Sequence, residues 1–563
     1  MEIKKLVKII TPEIYLSGLA AMLVWWILAL KGSGPIYSDE LLYVDIGLNN
    51  YQVASYGNRY FHVYLQKLFM GLAPTPLVGT KIFWGFLVSS TALLVYWNAR
   101  SFFRHSQPLH GLIAVAFYFS YRFISRYCGV TSADITATWM VTLFLTIYLI
   151  HLRTGRKYQW PLVLLGALSF LSFKTKETTF FANVFLLGLL FEQDGKFQFK
   201  KLSTFIKPFL AGFFSAVGFM IVLDAIFLRN PLFSISPSTF ASVFENYAYT
   251  GGFRKEPTSY FTTFLLADIM LPFLLYLVSG VVSHGREEQP SLKIVWLFPL
   301  LLAFFMTLNM LKIPWGFIER FYFPALPVIA ILAPQWLHFE MPRTLREKIL
   351  MALFALAVIA LVVFLHLAFQ GYTASIKWDY GKFVDSIYQP LLLCLLLGFI
   401  LVVRRMNWWN ILLPLACILA FLISPLLNNQ KYIFRTPLTQ GFFDQAYAPF
   451  ITYQDKIQYS DGMKVFISNG IATEYQTLSS DRNELSAMFN IFFNGRTSQQ
   501  DIVIGFEPEK MASTLVARQF DYVLLTRADW QRISQDANAL AYIQNQYTSF
   551  SEPDGKFLLL DKK

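Results

Sequence analysis

Five short clusters carry the residue types that could do chemistry. The first reads Tyr37-Ser38-Asp39-Glu40-Leu41-Leu42-Tyr43. Adjacent carboxylates can act as a general base and its partner, or as metal ligands. The same residues also make an ordinary acidic helix start with Ser38 as its cap. The second cluster, Gly57 to Lys67, mixes Arg59, His62 and Lys67 with aromatics. It suits an interfacial helix whose lysine reaches lipid headgroups, or a site for an anionic lipid head. The third holds Arg122, Arg126 and Asp134. A carboxylate favours the helix N-terminus that Asp134 would occupy, whereas two arginines at the outer end of the preceding apolar run suit phosphate recognition. The fourth, Lys174-Thr175-Lys176-Glu177, lies between two short apolar runs. There its charges snorkel to the interface or stand at a cost below it. The fifth holds Lys312, Glu319 and Arg320, either interfacial anchors or further site cations. Carboxylates and cations on one face of a membrane suit a lipid-phosphate substrate and a proton acceptor.

The elements that must position these groups are apolar. Of 563 residues 55% are hydrophobic and only 15% charged, against roughly a quarter charged in a soluble protein. Phe occurs 56 times and aromatics make up 17%, as interfacial aromatic belts require. These proportions exclude a soluble enzyme, a disordered chain and a disulfide scaffold. The formal charge of +12 is better explained by positive loops beside membrane spans than by nucleic-acid binding. Cys128, Cys394 and Cys417 have no ligand-like spacing.

Apolar runs long enough to span a bilayer number about thirteen: 13–30, 81–98, 109–127, 134–152, 160–172, 179–191, 208–228, 260–283, 294–311, 321–337, 349–369, 389–403 and 409–426. The fifth and sixth are short, so they tilt, re-enter or extend at their ends. The first follows Lys4, Lys5 and Lys8 and has no small-x-small cleavage site before Lys31, so it reads as an uncleaved anchor. Basic clusters fall at every second connection: Arg100/Arg104, Arg153/Arg156/Lys157, Lys196 to Lys207, Arg286/Lys293, Arg343 to Lys348 and Arg404/Arg405. The positive-inside rule makes these cytoplasmic, which places the N-terminus inside and the tail after an odd number of spans outside. All five clusters that could do chemistry then share the outer face. Residues 1–426 are expected to be the membrane domain. Residues 427–563 are expected to be an extracytoplasmic α/β domain, with strands at Val465–Ser468, Ile502–Gly505, Tyr522–Thr526 and Phe557–Asp561 and helices at Arg482–Phe493 and Pro508–Arg518.

At these residues the chain resembles the GT-C superfamily of membrane glycosyltransferases, in particular the branch of protein O-mannosyltransferases and lipid A aminoarabinose transferases. Asp39-Glu40 sits where that family carries an acidic motif in its first external loop. His62-Val63-Tyr64-Leu65-Gln66-Lys67 is similar to the His-Pro-Pro-Leu-x-Lys segment of the mannosyltransferases, with both prolines absent. Asp134-Ile135-Thr136-Ala137 resembles the second acidic motif, Lys174 to Thr178 the lysine segment before the sixth span, and Arg320 to Pro327 a later Arg-Tyr-x-x-Pro-x-x-Pro segment.

The resemblance implies a GT-C fold and a sugar donor carried on polyprenyl phosphate. The acceptor would be a lipid, a glycan or a protein. Transfer would invert the anomeric carbon, with Asp39 as general base, Glu40 orienting it, and Asp134 orienting the acceptor or supporting a divalent ion such as Mg or Mn. Arg126, Lys67, Lys174, Lys176 and Arg320 would stabilise the leaving phosphate. Arg59, His62 and Arg122 would help bind substrate, and Glu177 would hold a lysine in place. The cell's inner membrane is the expected location. A lipid-linked sugar transporter or flippase without chemistry would use the same cations, but would favour broken helices and repeats about a midplane site. A scaffold or receptor would leave Asp39 and Asp134 without a role.

Overall fold

The computed structural model describes residues 38–50, 52–74, 76–102, 108–120, 132–154, 158–191, 196–199, 202–241, 276, 290–302, 323–334, 456–457, 460, 462–468, 470–471, 502–505, 507–551 and 557–563. The expected spans 13–30, 349–369, 389–403 and 409–426 lie outside them, as does 260–283 except Tyr276. Helix Arg482–Phe493 lies outside them too.

The chain is a mostly helical membrane protein. Three described helices are long and apolar enough to cross a bilayer: Val78–Phe102, Ala133–Arg153 and Leu202–Leu228. They coincide with the expected runs 81–98, 134–152 and 208–228. In chain order the helices are α1 (Ser38–Asn49), α2 (Tyr60–Leu72), α3 (Pro76–Phe102), α4 (Pro108–Ser120), α5 (Ala133–Arg153), α6 (Trp160–Phe173) and α7 (Leu202–Leu228). Shorter apolar helices follow at α8 (Ser291–Leu302) and α9 (Phe323–Leu332). Helix α3 packs against α2, α4 and α5, and α9 closes on α3 and α4. Trp84, Leu87, Phe117, Val141, Tyr148 and Ile331 lie in their shared core.

The short apolar run expected at 179–191 has a distinctive geometry. Glu177–Leu190 is a 3-10 helix of 14 residues. At about 2.0 Å per residue it reaches roughly 28 Å, where an α-helix of equal length would reach roughly 21 Å. The run is therefore longer than its residue count suggests.

The spans meet through small residues and satisfied hydroxyls. A Cβ at Gly212 of α7 would overlap the Val163 carbonyl oxygen of α6, and one at Gly166 would overlap the Phe209 carbonyl oxygen. Glycine lets these two backbones touch, which replaces the hydrophobic drive that lipid removes. Along α5, Thr138, Thr142 and Thr146 donate their hydroxyls to the carbonyls of Asp134, Thr138 and Thr142 at 2.7, 2.7 and 2.8 Å. The side chain of Tyr148 then ties α5 to the Ser291 carbonyl at 2.6 Å.

The tail contains a five-stranded sheet: β1 (Val465–Ile467), β2 (Ile502–Ile504), β3 (Tyr522–Thr526), β4 (Tyr547–Ser551) and β5 (Phe557–Lys562), in the order β2-β1-β3-β5-β4. β1 runs parallel to β2 and β3, and β5 is antiparallel to β3 and β4. The expected strands all form. β4 was not expected, because Tyr-Thr-Ser-Phe-Ser is no apolar run; it is an edge strand and can keep one side wet. Helices α10 (Met511–Ala517), α11 (Arg527–Ile533) and α12 (Ala537–Gln546) accompany the sheet. Met511, Leu515, Ile533, Ala539 and Ile543 pack with Phe466 and Val523. Thr526 caps α11 by accepting from the Asp529 amide at 3.2 Å, and Asp536 caps α12.

Candidate active site

The segment Lys174 to Glu177, between α6 and the 3-10 span, is where the sequence clusters converge. The Phe61 amide of α2 donates to the Lys174 carbonyl at 3.2 Å. Lys176 Nζ forms an ion pair and hydrogen bond with Asp134 Oδ1, in the first turn of α5. Their side chains are 2% and 3% exposed, so neither charge has water as an alternative partner. Glu177 Oε1 lies 3.8 Å from Arg59 Nη2, and Arg59 Nη1 donates to the Tyr43 hydroxyl of α1.

His62 links α2 to the same place. Its Nδ1 lies 2.8 Å from Thr136 Oγ1, one half-turn beyond Asp134, and its ring stands edge-on to Tyr43 at 5.1 Å. Full burial holds its pKa down to about 3, and the Arg59 charge adds to that shift. The imidazole is therefore neutral at physiological pH.

Helix α1, which carries the paired acids, packs against α2. Asp39 and Glu40 occupy its first turn, and Asp39 stands one turn before Tyr43, on the same helical face. The side chains of Asp39 and Glu40 lie outside the described residues. The far end of α1 is fixed by Lys67, whose Nζ donates to the Gly47 carbonyl at 2.6 Å and to Asn50 Oδ1 at 2.8 Å. Asn50 adopts the left-handed conformation (φ 58°) that ends helices. Lys67 is thus engaged at the negative end of α1 rather than extended toward headgroups, while Leu68 and Leu72 of the same helix are exposed.

A second polar knot supports the segment from below. Asp224 of α7 accepts from the Tyr64 hydroxyl at 2.6 Å, the Ser234 amide at 2.7 Å and the Ser234 hydroxyl at 2.8 Å. The Ser234 carbonyl accepts in turn from Lys174 Nζ, which also reaches Asn58 Oδ1 at 3.3 Å and stands 4.3 Å from the Phe240 ring centre. Burial pushes the Lys174 ammonium pKa down to about 8, partly opposed by the Asp224 charge.

The structure therefore brings Arg59, His62, Asp134, Lys174, Lys176 and Glu177 together, while Asp39 and Glu40 lie in the first turn of α1. Lys67 stands apart from them at the end of α1. Arg122, Arg126 and Arg320 lie outside the described residues. Tyr43, Asn58, Tyr64, Thr136, Asp224 and Ser234 were not among the sequence candidates. Asp224 had a readable signal, a lone acid inside an otherwise apolar span; the others are common residue types placed by folding. Among the described residues no group of three or more His, Cys, Asp or Glu gathers. Asp134 faces an ammonium, and that charge set suits an ion pair rather than a divalent ion, so no step is assigned to a metal there.

No family model matches the sequence, and no curated protein sequence matches it. Among solved structures, the crystal structure of ArnT from Cupriavidus metallidurans bound to undecaprenyl phosphate aligns over 97% of this chain and 97% of its own, with 13% identity and a TM-score of 0.54. The apo state of the same protein aligns over 97% of both chains with 15% identity and a TM-score of 0.50. At this identity the likeness is one of fold, and it extends over nearly the whole chain. The fold of this membrane protein is thus similar to that of ArnT over nearly its whole length.

Proposed function

We propose that the chain is an integral membrane glycosyltransferase that moves a hexosyl or pentosyl group from a polyprenyl-phosphate donor to an acceptor hydroxyl, on the outer face of the cytoplasmic membrane. The observation that carries this reading is the fold shared over 97% of both chains with ArnT, a protein whose structure holds undecaprenyl phosphate. The meeting of Asp134 with Lys176, and of Glu177 with Arg59, at one helix junction supports it.

In this reading Asp39 takes the proton of the acceptor hydroxyl, with Glu40 orienting it. The acceptor oxygen attacks the anomeric carbon from the side opposite the phosphate. The bond from that carbon to the phosphate oxygen breaks, configuration inverts, and polyprenyl phosphate leaves with the electron pair. Arg59, Arg122, Arg126 and Arg320 are the cations assigned to the leaving phosphate, because a guanidinium meets a phosphate through two parallel hydrogen bonds. Asp134, held by Lys176, orients the acceptor. Lys67 supports the site by fixing the end of α1, and neutral His62 fixes α2 against α5. The tail from residue 427 lies outside the cell membrane in this arrangement.

The test is transfer from a panel of radiolabelled polyprenyl-phosphate sugars in purified membranes, wild type beside Asp39→Asn. Consumption of one donor by wild type, with a fall of about 10²-fold or more in the variant, is expected. Equal turnover by both proteins would discard Asp39 as the base. No consumption of any donor by folded protein would discard the transferase reading.

A further inference from the structure

Helix α7 packs closely along α6 on one side. Its outward face carries exposed Phe214, Phe219, Val222 and Ile226, as a lipid-facing helix should. Its buried stripe repeats every four residues: Gly212, Ala216, Met220, Asp224 and Leu228. A fully buried carboxylate on that stripe is costly unless its oxygens are satisfied, and three donors do satisfy it. Two of the three come from Ser234, whose carbonyl then faces Lys174. One residue thus presents donors to an anion and an acceptor to a cation. Lys174 is held at both ends, its ammonium by Ser234 and Asn58 and its carbonyl by the Phe61 amide. Lys176 and Glu177 follow within three residues, so the placement of Lys174 determines where their charges stand.

We propose that Asp224 is a positioning residue for the candidate active site: through Ser234 and Lys174 it holds the segment that sets Lys176 against Asp134 and Glu177 against Arg59. This inference rests on the transferase reading for its effect on turnover, and on hydrogen-bond geometry alone for the relay. Among the described residues, the hydrogen bonds of Asp224 join it to Tyr64 and Ser234, not to Asp134 or Arg59. Its loss should therefore slow turnover without changing how the donor binds.

The experiment compares wild type, Asp224→Asn, Lys174→Gln and the double variant as full-length protein in nanodiscs, with the donor that wild type consumes from the panel. Asp224→Asn should lower kcat by about tenfold or more with donor KM within about threefold, the pattern of a contribution confined to the transition state. The double variant should be no slower than the slower single, because both substitutions cut one relay. Should Asp224→Asn fail to fold, Ser234→Ala and Tyr64→Phe carry the test. Each removes one donor to Asp224 and should lower kcat by about two- to fivefold at constant KM. The proposal is overturned by wild-type kcat in folded Asp224→Asn, by a raised KM at unchanged kcat, by multiplicative losses in the double variant, or by wild-type kcat in both fallback variants. Should wild type consume no donor, the transferase reading fails by itself and the relay is read from thermal unfolding. A loss of midpoint in the double variant smaller than the sum of the single losses then supports it, and additive losses overturn it.

Discussion

Two ion pairs of this protein have the same chemistry and opposite surroundings. Lys176 and Asp134 come from distant parts of the chain and are almost wholly buried, whereas Lys510 and Glu507 lie three residues apart with side chains 71% and 61% exposed. In water each ion keeps its hydration, and pairing changes little. In a buried junction water cannot take the place of a lost ion, so removing one leaves the other charge desolvated. The contrast extends to the regions that hold them. The helical junction is organised by buried and half-buried polar side chains tied to one another across helices: Asp224, Lys174, His62 and Arg59. The sheet of the tail is organised chiefly by apolar packing about Phe466, Val523 and Leu525, with Asp529 as its buried acid.

The comparison breaks most visibly at Lys176. Lys176→Met should cost about 3–5 kcal/mol of stability, read as a lowered thermal midpoint in detergent, while adding Asp134→Leu to it should return most of that loss. Recovery in the double variant without recovery of sugar transfer would separate the pair's structural role from its catalytic one. Full stability in the single variant would show that the pair is not the clamp described here.

His62 gives a smaller effect with a defined pH window. Its folded pKa of about 3 lies below the unfolded value of 6.5, so between those values the unfolded chain binds the extra proton. The contribution of His62 is therefore complete above about pH 6.5 and is lost as pH falls toward 3, amounting to about 2 kcal/mol by pH 5. Unfolding followed from pH 7 to 5 should show this loss in wild type. His62→Asn keeps a hydrogen-bonding group for Thr136 and cannot titrate, so its profile over that range should be flatter. Parallel profiles would remove His62 as the source.

Lys510→Ala sits at the bottom of the scale. A shift of the thermal midpoint above about 1 °C would contradict the view that exposed pairs of this kind contribute little.

Much of the architecture was legible because the signals are local. Long apolar runs marked α3, α5 and α7, and the apolar runs around Phe466 and Val523 marked the buried strands β1 and β3, as parallel central strands require. β4 was missed because an edge strand can be polar. The run at 179–191 is legible as short, but its 3-10 geometry has no counterpart in hydrophobic periodicity. Lys67 was legible as a cation near the junction and illegible as the residue that closes α1, since that depends on α2 folding back along it. Asp224 was visible as a lone acid in α7, yet nothing local names Ser234 or Tyr64 as its partners.

What the sequence determined by itself is therefore the membrane class, the succession of apolar elements, and the acidic and basic motifs that resemble a glycosyltransferase superfamily. These depend on composition, on runs and on short spacings, which are properties of neighbouring residues. Only the tertiary structure decided that Lys176 faces Asp134 across 42 positions, His62 faces Thr136 across 74, and Tyr64 faces Asp224 across 160. Such partners are selected by burial. Once packing removes water from a charged or polar group, its energy depends on which donors and acceptors the other helices bring within about 3 Å.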